Sequence, residues 1–389
     1  MSERLLVVIK RLWIVLFLAG IVGVSVKIAT GERLAGYGSY VPWGLWIAVY
    51  FHAIGISGGV FAAGVVGYLR GVRGLKENLR VTLLVSAVSL VTGLLSIWLD
   101  LGKPFRAYRV ILSPNFGSML DFNAWMYGIF LALAALIFYL SLNKAREKDV
   151  NDRSGWLVPL LSLGCLLSVA YPSQSGAFFG VVDAKPFWSS ALLPVLFLTS
   201  AITSGASALI VVHYYLAGES AGRTLTPRDE PFYYLRKITL IGIMVYFLGE
   251  FSEYSLALWS PLSRIREAVM LVLFGSFWWV FWIIHVCGAL AAIYLLVRGK
   301  TVHHTAAGAF IIVASFISTR LNVLIPGQSI AELRGLREAF THPRLSFEYV
   351  PTIFEYLITL FVVAIGLALF YFGLRLLRLF FDKKIGGIS

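Results

Sequence analysis

The 389-residue sequence predicts an all-α polytopic membrane protein of about ten transmembrane helices, and three observations predict it. Apolar residues make up 59% of the chain against 14% charged, too few polar side chains to cover the surfaces of soluble domains. The apolar residues fall into long runs, most of which can cross roughly 30 Å of hydrocarbon as helix. Lys and Arg gather in short clusters between the runs, so the formal net charge of +13 reads as membrane orientation, not as a nucleic-acid surface.

In the first span, Val7 to Val26, the apolar stretch Leu12 to Val26 follows Arg4, Lys10 and Arg11 as in a signal peptide, but has no small-residue cleavage site and is expected to stay as the first helix. The next spans are expected at Trp43 to Tyr68, Val81 to Leu99, Phe122 to Leu142, Trp156 to Tyr171 and Ala191 to Leu216. Ile238 to Leu258, Val269 to Val297, Thr305 to Ile325 and Thr352 to Leu376 complete the set, and the fifth span is the shortest. Tyr171-Pro-Ser-Gln-Ser-Gly176 and Pro114-Asn-Phe-Gly-Ser-Met119 read as polar loops that either line a pocket or turn the chain.

With alternate loops on opposite sides, one side holds 21 of the 33 basic residues and the other 11, with Arg320 inside a span. The positive-inside rule then puts both termini in the cytoplasm, and the expected location is the cytoplasmic (inner) membrane. Ile56-Ser-Gly-Gly-Val-Phe-Ala-Ala-Gly in the second span resembles Ile202-Thr-Ser-Gly-Ala-Ser-Ala in the sixth, and the helix after each ends in acidic residues. The expected organisation is therefore a first helix and loop (1–40), two repeated four-helix bundles (41–190 and 191–350) and a last helix with a tail (351–389). Recurring Gly and Ser packing faces are the competing explanation of the likeness.

Cys165 and Cys287 lie far apart within apolar runs, so neither a disulfide framework nor a CxxC metal site is expected, and any iron–sulfur cluster belongs to a partner. No two histidines stand at matched depth on neighbouring spans, which argues against a haem. By the same depth argument His213, His285, His303 and His304 read as interfacial or packing residues, His285 having no partner at its level.

Chemistry concentrates on charges in or beside apolar spans: Asp100, Glu250, Glu253, Glu355 and Arg320. Each costs about 2.5–3.5 kcal/mol at the bilayer centre, so keeping them needs pairing, water or a function. All five fall toward the non-cytoplasmic face and are expected in one polar cluster, with His52 beside them. A purely structural network, with Arg320 paired to Glu250 or Glu253, is the bland alternative. Thr82, Ser86, Ser89, Gly93, Ser96 and Asp100 share one helix face, which reads either as a hydroxyl-lined proton path through Ser86, Ser89 and Ser96 or as helix packing.

Val41-Pro-Trp-Gly-Leu-Trp-Ile47, Asp100-Leu-Gly-Lys-Pro-Phe-Arg106, Asn115-Phe-Gly-Ser118, Gln174-Ser-Gly176, Leu248-Gly-Glu250 and Arg320-Leu-Asn322 occur in an order that resembles the NrfD/polysulfide reductase membrane subunit family, in its ten-helix branch. The resemblance implies a subunit without haem or cluster that binds menaquinone or ubiquinone, menaquinone favoured, near the non-cytoplasmic face. It implies a ferredoxin-like iron–sulfur partner on that face and further redox subunits, a multihaem cytochrome c being a candidate. Asp100, Glu250 and Arg320 stand at motif positions of that family; the expected catalytic residues are Asp100, Glu250 and Glu253, and Trp43, His52, Arg106, Gln174, Arg320 and Glu355 are expected to hold the quinone, His52 by its depth and chemistry alone. The expected function is electron exchange between a quinone pool and the partner, with proton translocation left open. An ion-coupled secondary transporter and a structural anchor are the rival expectations.

Overall fold

The structure is a computed structural model that describes residues 3–144, 155–182, 184–218, 226–333, 335–339, 342 and 344–380. Of the basic residues used for orientation, Arg146, Lys148, Arg153, Arg223, Arg334, Lys383 and Lys384 lie outside the described residues. The described chain is helical, and ten helices are long and apolar enough to cross a membrane.

These are α1 (Glu3–Thr30), α2 (Leu45–Leu69), α3 (Leu79–Asp100), α4 (Met119–Lys144), α5 (Leu157–Gly180), α6 (Leu193–Gly218), α7 (Glu230–Trp259), α8 (Val280–Arg298), α9 (Val302–Ser329) and α10 (Ile353–Phe380). Helix ends follow local chemistry: after α2, Gly71 takes φ 82°, Val72 N–H reaches back to Gly67 C=O and Gly71 N–H to Tyr68 C=O, a Schellman ending that closes two orphan carbonyls. In lipid no water can close them.

Two helices form the centre. α2 packs on α3, α5 and α6; α6 packs on α5, α7 and α9. They cross at Gly59 and Gly205, where a Cβ on either glycine would collide with the backbone of the other helix. With no hydrophobic drive between helices in lipid, such close backbone approach supplies the packing energy. α4 lies against α5, α8 against α9, and α1 reaches the rest mainly through α10, which in turn packs on α3.

Three expected spans differ. α5 does not stop at Tyr171 but runs through Pro172 to Gly180, so the Tyr171–Gly176 segment is helix and not loop. Pro172 denies Ser168 C=O its usual helical donor, and Gly58 of α2 packs against that carbonyl and the proline ring. The run from Val269 to Val297 is broken: Ser263–Phe274 is a separate helix, and α8 begins at Val280 with π-helical turns over Val280–Cys287. α9 is interrupted at Phe316–Ile317, leaving Ser318–Ser329 as a half-helix.

Candidate functional site

The two irregular helices meet at one place. Glu250 on α7 is buried, and its Oε2 lies 2.9 Å from His285 Nε2 on the π-helical turns of α8. Glu250 Oε1 accepts from Tyr246 O–H at 3.1 Å. Across the ring, His285 Nδ1 lies 3.0 Å from Ser318 Oγ, at the start of the half-helix in α9. Ser318 O–H donates to Ser315 C=O at 2.6 Å, which spends its only hydrogen. His285 Nδ1 must therefore carry a proton and donate to Ser318. The Nε2···Oε2 contact then holds one further proton, on the imidazole or on the carboxyl, and the pair is neutral in either case. Phe247, Phe281 and Phe316 wall the imidazole with ring centroids 4.9–5.8 Å away.

Arg320 follows on the same half-helix, 3% exposed. Its guanidinium lies over the Phe197 ring at 3.8 Å, Nη2 donates to Phe197 C=O at 3.2 Å, and Nε has no partner among the described residues. No carboxylate stands within ion-pair distance of it among the described residues, so the expected Arg320–Glu250 or Arg320–Glu253 pair is not formed. His52 is half-buried, with Nε2 2.8 Å from Val313 C=O, just before the interruption in α9.

The charges expected in one cluster are divided. Glu355 is fully buried at the start of α10, at the end of the molecule that carries the 31–44, 101–118 and 330–352 connections. Its Oε1 accepts from Gly36 N–H at 2.7 Å and Thr352 N–H at 3.2 Å, and Tyr349 O–H donates to Oε2. The Tyr349 oxygen in turn accepts Leu45 N–H at 2.7 Å, capping α2. Asp100 Oδ1 and the Tyr37 hydroxyl are buried at this same rim, near enough for the phenol to interact with the carboxyl, though neither atom makes a hydrogen bond of full geometry among the described residues. Burial first, then the Asp100, Glu32 and Glu355 carboxylates, push the Tyr37 phenol up, so it stays protonated. Lys27, paired with Glu32 at 3.2 Å, lies over the Trp46 ring. Glu253 stands apart again, accepting from Ser190 O–H at 2.8 Å.

The remaining predicted residues scatter. Ser86 donates to Ser57 C=O at 2.9 Å and Ser96 to Trp46 C=O at 2.8 Å, both binding α3 to α2, while Ser89 is half-buried. Arg106 is exposed on a short turn, Pro104–Arg106, beyond α3. Trp43 stacks on Trp188 with centroids 5.9 Å apart, and Gln174 is half-buried on α5. The surface concavities of the rim, lined by Lys185, Arg264 and Glu332 and by Arg264, Glu267 and Arg337, lie over the end of α9 and away from the Glu250 pair.

Two residues escaped the sequence reading. His285 has a partner at its own level, because α8 begins at Val280 and not at Val269. Gln328 was not singled out, yet its Oε1 accepts Trp43 N–H and its Nε2 donates to Trp43 C=O, each at 3.0 Å, with a further bond to Leu324 C=O. A signal for it exists: Pro172-Ser-Gln-Ser175 of α5 recurs as Pro326-Gly-Gln-Ser329 in α9. In both, the serine O–H donates one turn back, Ser175 to Tyr171 C=O at 2.8 Å and Ser329 to Ile325 C=O at 2.9 Å.

The family model "Polysulphide reductase, NrfD" matches residues 34–332. A selenate reductase subunit of Mesobacillus selenatarsenatis is 25% identical, with 86% of this chain and 85% of that protein covered. The Hdr-like menaquinol oxidoreductase integral membrane subunit of Archaeoglobus fulgidus is 27% identical over 77% of this chain and 74% of its own. The menaquinone reductase integral membrane subunit of Nitratidesulfovibrio vulgaris is 25% identical over 69% and 68%. With ten apolar helices and a family match over most of its length, the chain is a multi-pass integral membrane protein of the NrfD polysulphide reductase family.

Proposed function

We propose that the chain is the quinone-reactive membrane subunit of a respiratory oxidoreductase complex, exchanging electrons between a quinone pool, menaquinone favoured, and an iron–sulfur partner. Support comes from the family and from two relatives named for menaquinol or menaquinone. The carrying observation is the Glu250–His285 pair, which holds one exchangeable proton inside an apolar wall. A quinone takes up two protons with its two electrons and releases both on oxidation, so a subunit serving it needs such groups within the membrane. A free polar atom to meet a ligand exists in this region: Arg320 Nε, on the half-helix that starts at Ser318, is buried and unpartnered among the described residues.

In this reading Glu250 and His285 hold and move the proton, Tyr246 steadies the carboxyl, and Arg320 sets the local field. Glu355 and His52 serve structure, since backbone groups already occupy them. Both termini face the cytoplasm, α2–α5 and α6–α9 are parallel copies of one unit, and the ferredoxin-like partner docks on the rim, with further redox subunits, a multihaem cytochrome c among the candidates, beyond it. The interruption of α9 in mid-span also suits an ion-coupled carrier, whose sites use broken helices.

One experiment separates the two. The chain is purified with its co-isolating subunits, extracted for quinone, and assayed for quinol-linked turnover as wild type and as Glu250→Gln. Stoichiometric quinone and lost turnover with assembly intact support the proposal. No co-extracted quinone and no quinol-linked turnover in the wild type hand the site to the carrier.

A further inference from the structure

Two connections at the rim are built differently. The one between α7 and α8 buries Ala268, Val269 and Val272 and pairs Glu267 with Arg337 at 3.5 Å. The one between α3 and α4 buries no residue of Pro104–Arg106 or Arg109–Leu112, and it leaves Phe105 82%, Leu112 73% and Phe116 74% exposed. A contiguous apolar surface of this kind marks a place that meets a partner or a membrane.

The backbone of this connection sorts its side chains. Arg106 N–H bonds to Lys103 C=O at 2.9 Å, Ala107 to Pro104 and Val110 to Ala107 at 3.1 Å, and Ile111 to Tyr108 at 3.0 Å. Each bond reaches three residues back, so side chains three apart line up on one face. Pro104, Ala107 and Val110 are half-buried against the protein. Phe105, Tyr108 and Ile111 make an exposed apolar face, and Lys103, Arg106 and Arg109 an exposed basic one. None of these three cations has a side-chain partner among the described residues. No acidic residue stands between Leu101 and Leu120, and Asp121 is spent on Asn115 N–H at 2.8 Å.

Both ends of the connection fold back onto the spans. The Phe105 ring meets Trp98 edge-on with centroids 5.7 Å apart, and Phe116 lies 6.4 Å from Trp125. Trp98 belongs to α3 and Trp125 to α4, about 3 Å and about 9 Å inside the helix ends at 1.5 Å per residue. The aromatic side chains therefore stand at the depth where the apolar runs end, the level at which tryptophan marks the membrane surface.

We infer that residues 101–118 lie in the membrane surface as a headgroup-binding element, with Phe105, Tyr108 and Ile111 among the first methylenes and Lys103, Arg106 and Arg109 on the phosphates of anionic phospholipids in the leaflet at the rim. The inference goes beyond the quinone reading and does not rest on it. Long basic stems let the charges reach phosphate while the rings beside them stay in hydrocarbon. Three cations within residues 103–109 also run against the bias that leaves this side the poorer in Lys and Arg, and a phosphate partner supplies the reason. Arg106, expected from the sequence at the quinone, serves here as one of the three.

The test uses the purified complex as wild type and as the triple variant Lys103→Gln, Arg106→Gln, Arg109→Gln. Phosphatidylglycerol and phosphatidylcholine are titrated into the delipidated complex and bound lipid is read by native mass spectrometry. The depth of the segment is read in nanodiscs from a nitroxide on Ile111→Cys, in a Cys165→Ser, Cys287→Ser background, through its collisions with dioxygen and with a water-soluble nickel chelate. We expect wild type to prefer phosphatidylglycerol, its affinity to fall about fivefold per cation removed and about 10²-fold in the triple variant, and the label to meet dioxygen more than nickel. If the triple variant does not fold, each single variant still carries its fivefold loss. Equal binding of the two lipids by wild type, or an undiminished preference in the variants, overturns the inference. A label shielded from both reagents puts a protein partner over the segment, and one that meets the nickel chelate first puts it in open water; either overturns it too.

Discussion

Two buried carboxylates in this protein look alike in the sequence and differ in their partners. Glu355, at the rim, is held by two backbone N–H groups and by Tyr349, whose oxygen also caps α2. All these donors are fixed, so Glu355 ties the 31–44 loop and the starts of α2 and α10 together. Glu250, in the interior, is held by Tyr246 and by an imidazole that can itself take or give a proton. Fixed donors make a carboxylate a fastener; a titratable partner makes it a place where a proton can be kept. The difference teaches that a charge in a membrane span is read by what surrounds it.

The sharpest way to break the comparison is Glu250→Gln. We expect quinol-linked turnover to fall at least about 10²-fold, the range for loss of a general acid–base group, with the thermal midpoint of the complex little altered; His285→Gln gives a similar loss, and the two together add little. Stopped-flow or steady-state quinol oxidation measures it, and near-normal rates in both variants would remove the pair from the mechanism.

Glu355→Ala should do the reverse. Three donors lose their acceptor, so stability is expected to drop by about 3 kcal/mol, a sum of several unmade hydrogen bonds, while turnover per folded complex stays near wild type. Thermal or denaturant unfolding in nanodiscs checks it, and a turnover defect without a stability defect would return Glu355 to the quinone site.

A smaller effect separates the two glutamines. Gln328→Ala is expected to cost about 1–3 kcal/mol, since it strips both bonds from Trp43 at the start of α2, whereas Gln174→Ala, at a side chain with no hydrogen bond among the described residues, costs nothing measurable. Equal losses would mean that the two segments are used alike. Smallest of all, His52→Phe should cost about 1 kcal/mol for the single bond to Val313 C=O and leave turnover within about twofold; a large turnover loss there would show that His52 serves the ligand.

Much of the fold was legible because lipid allows few solutions. Every backbone group inside hydrocarbon must pair within its own helix, so spans show as unbroken apolar runs, and the expected spans begin or end within a turn or two of the observed helices. Where the reading slipped, local rules misled it. Pro172 suggested a loop, yet α5 continues, with Gly58 packed against the buried Ser168 carbonyl that the proline leaves without its helical donor. The apolar run from Val269 hid the turn at Gly275–Trp279, and the false start placed His285 at a depth with no partner.

The candidate residues were legible as types and not as a site. Glu250 and Arg320 stood out because charge is costly in a span, and they do lie on elements of one region. Nothing in residue spacing says that Glu250 chooses His285 over Arg320, because they come from three helices whose rotation and register are set by packing alone.

The amino-acid sequence by itself therefore determined that this chain lives in a membrane, how many times it crosses, and which polar side chains it carries into the apolar region. Transfer free energy acts residue by residue, so it can be read along the chain. Only the tertiary structure decided which carboxylate meets a histidine, which glutamine is spent on the start of α2, and which buried guanidinium is left without a carboxylate. Those choices depend on the helix crossings at Gly59 and Gly205 and on the irregular turns in α8 and α9, where contacts between residues far apart in the chain set the geometry.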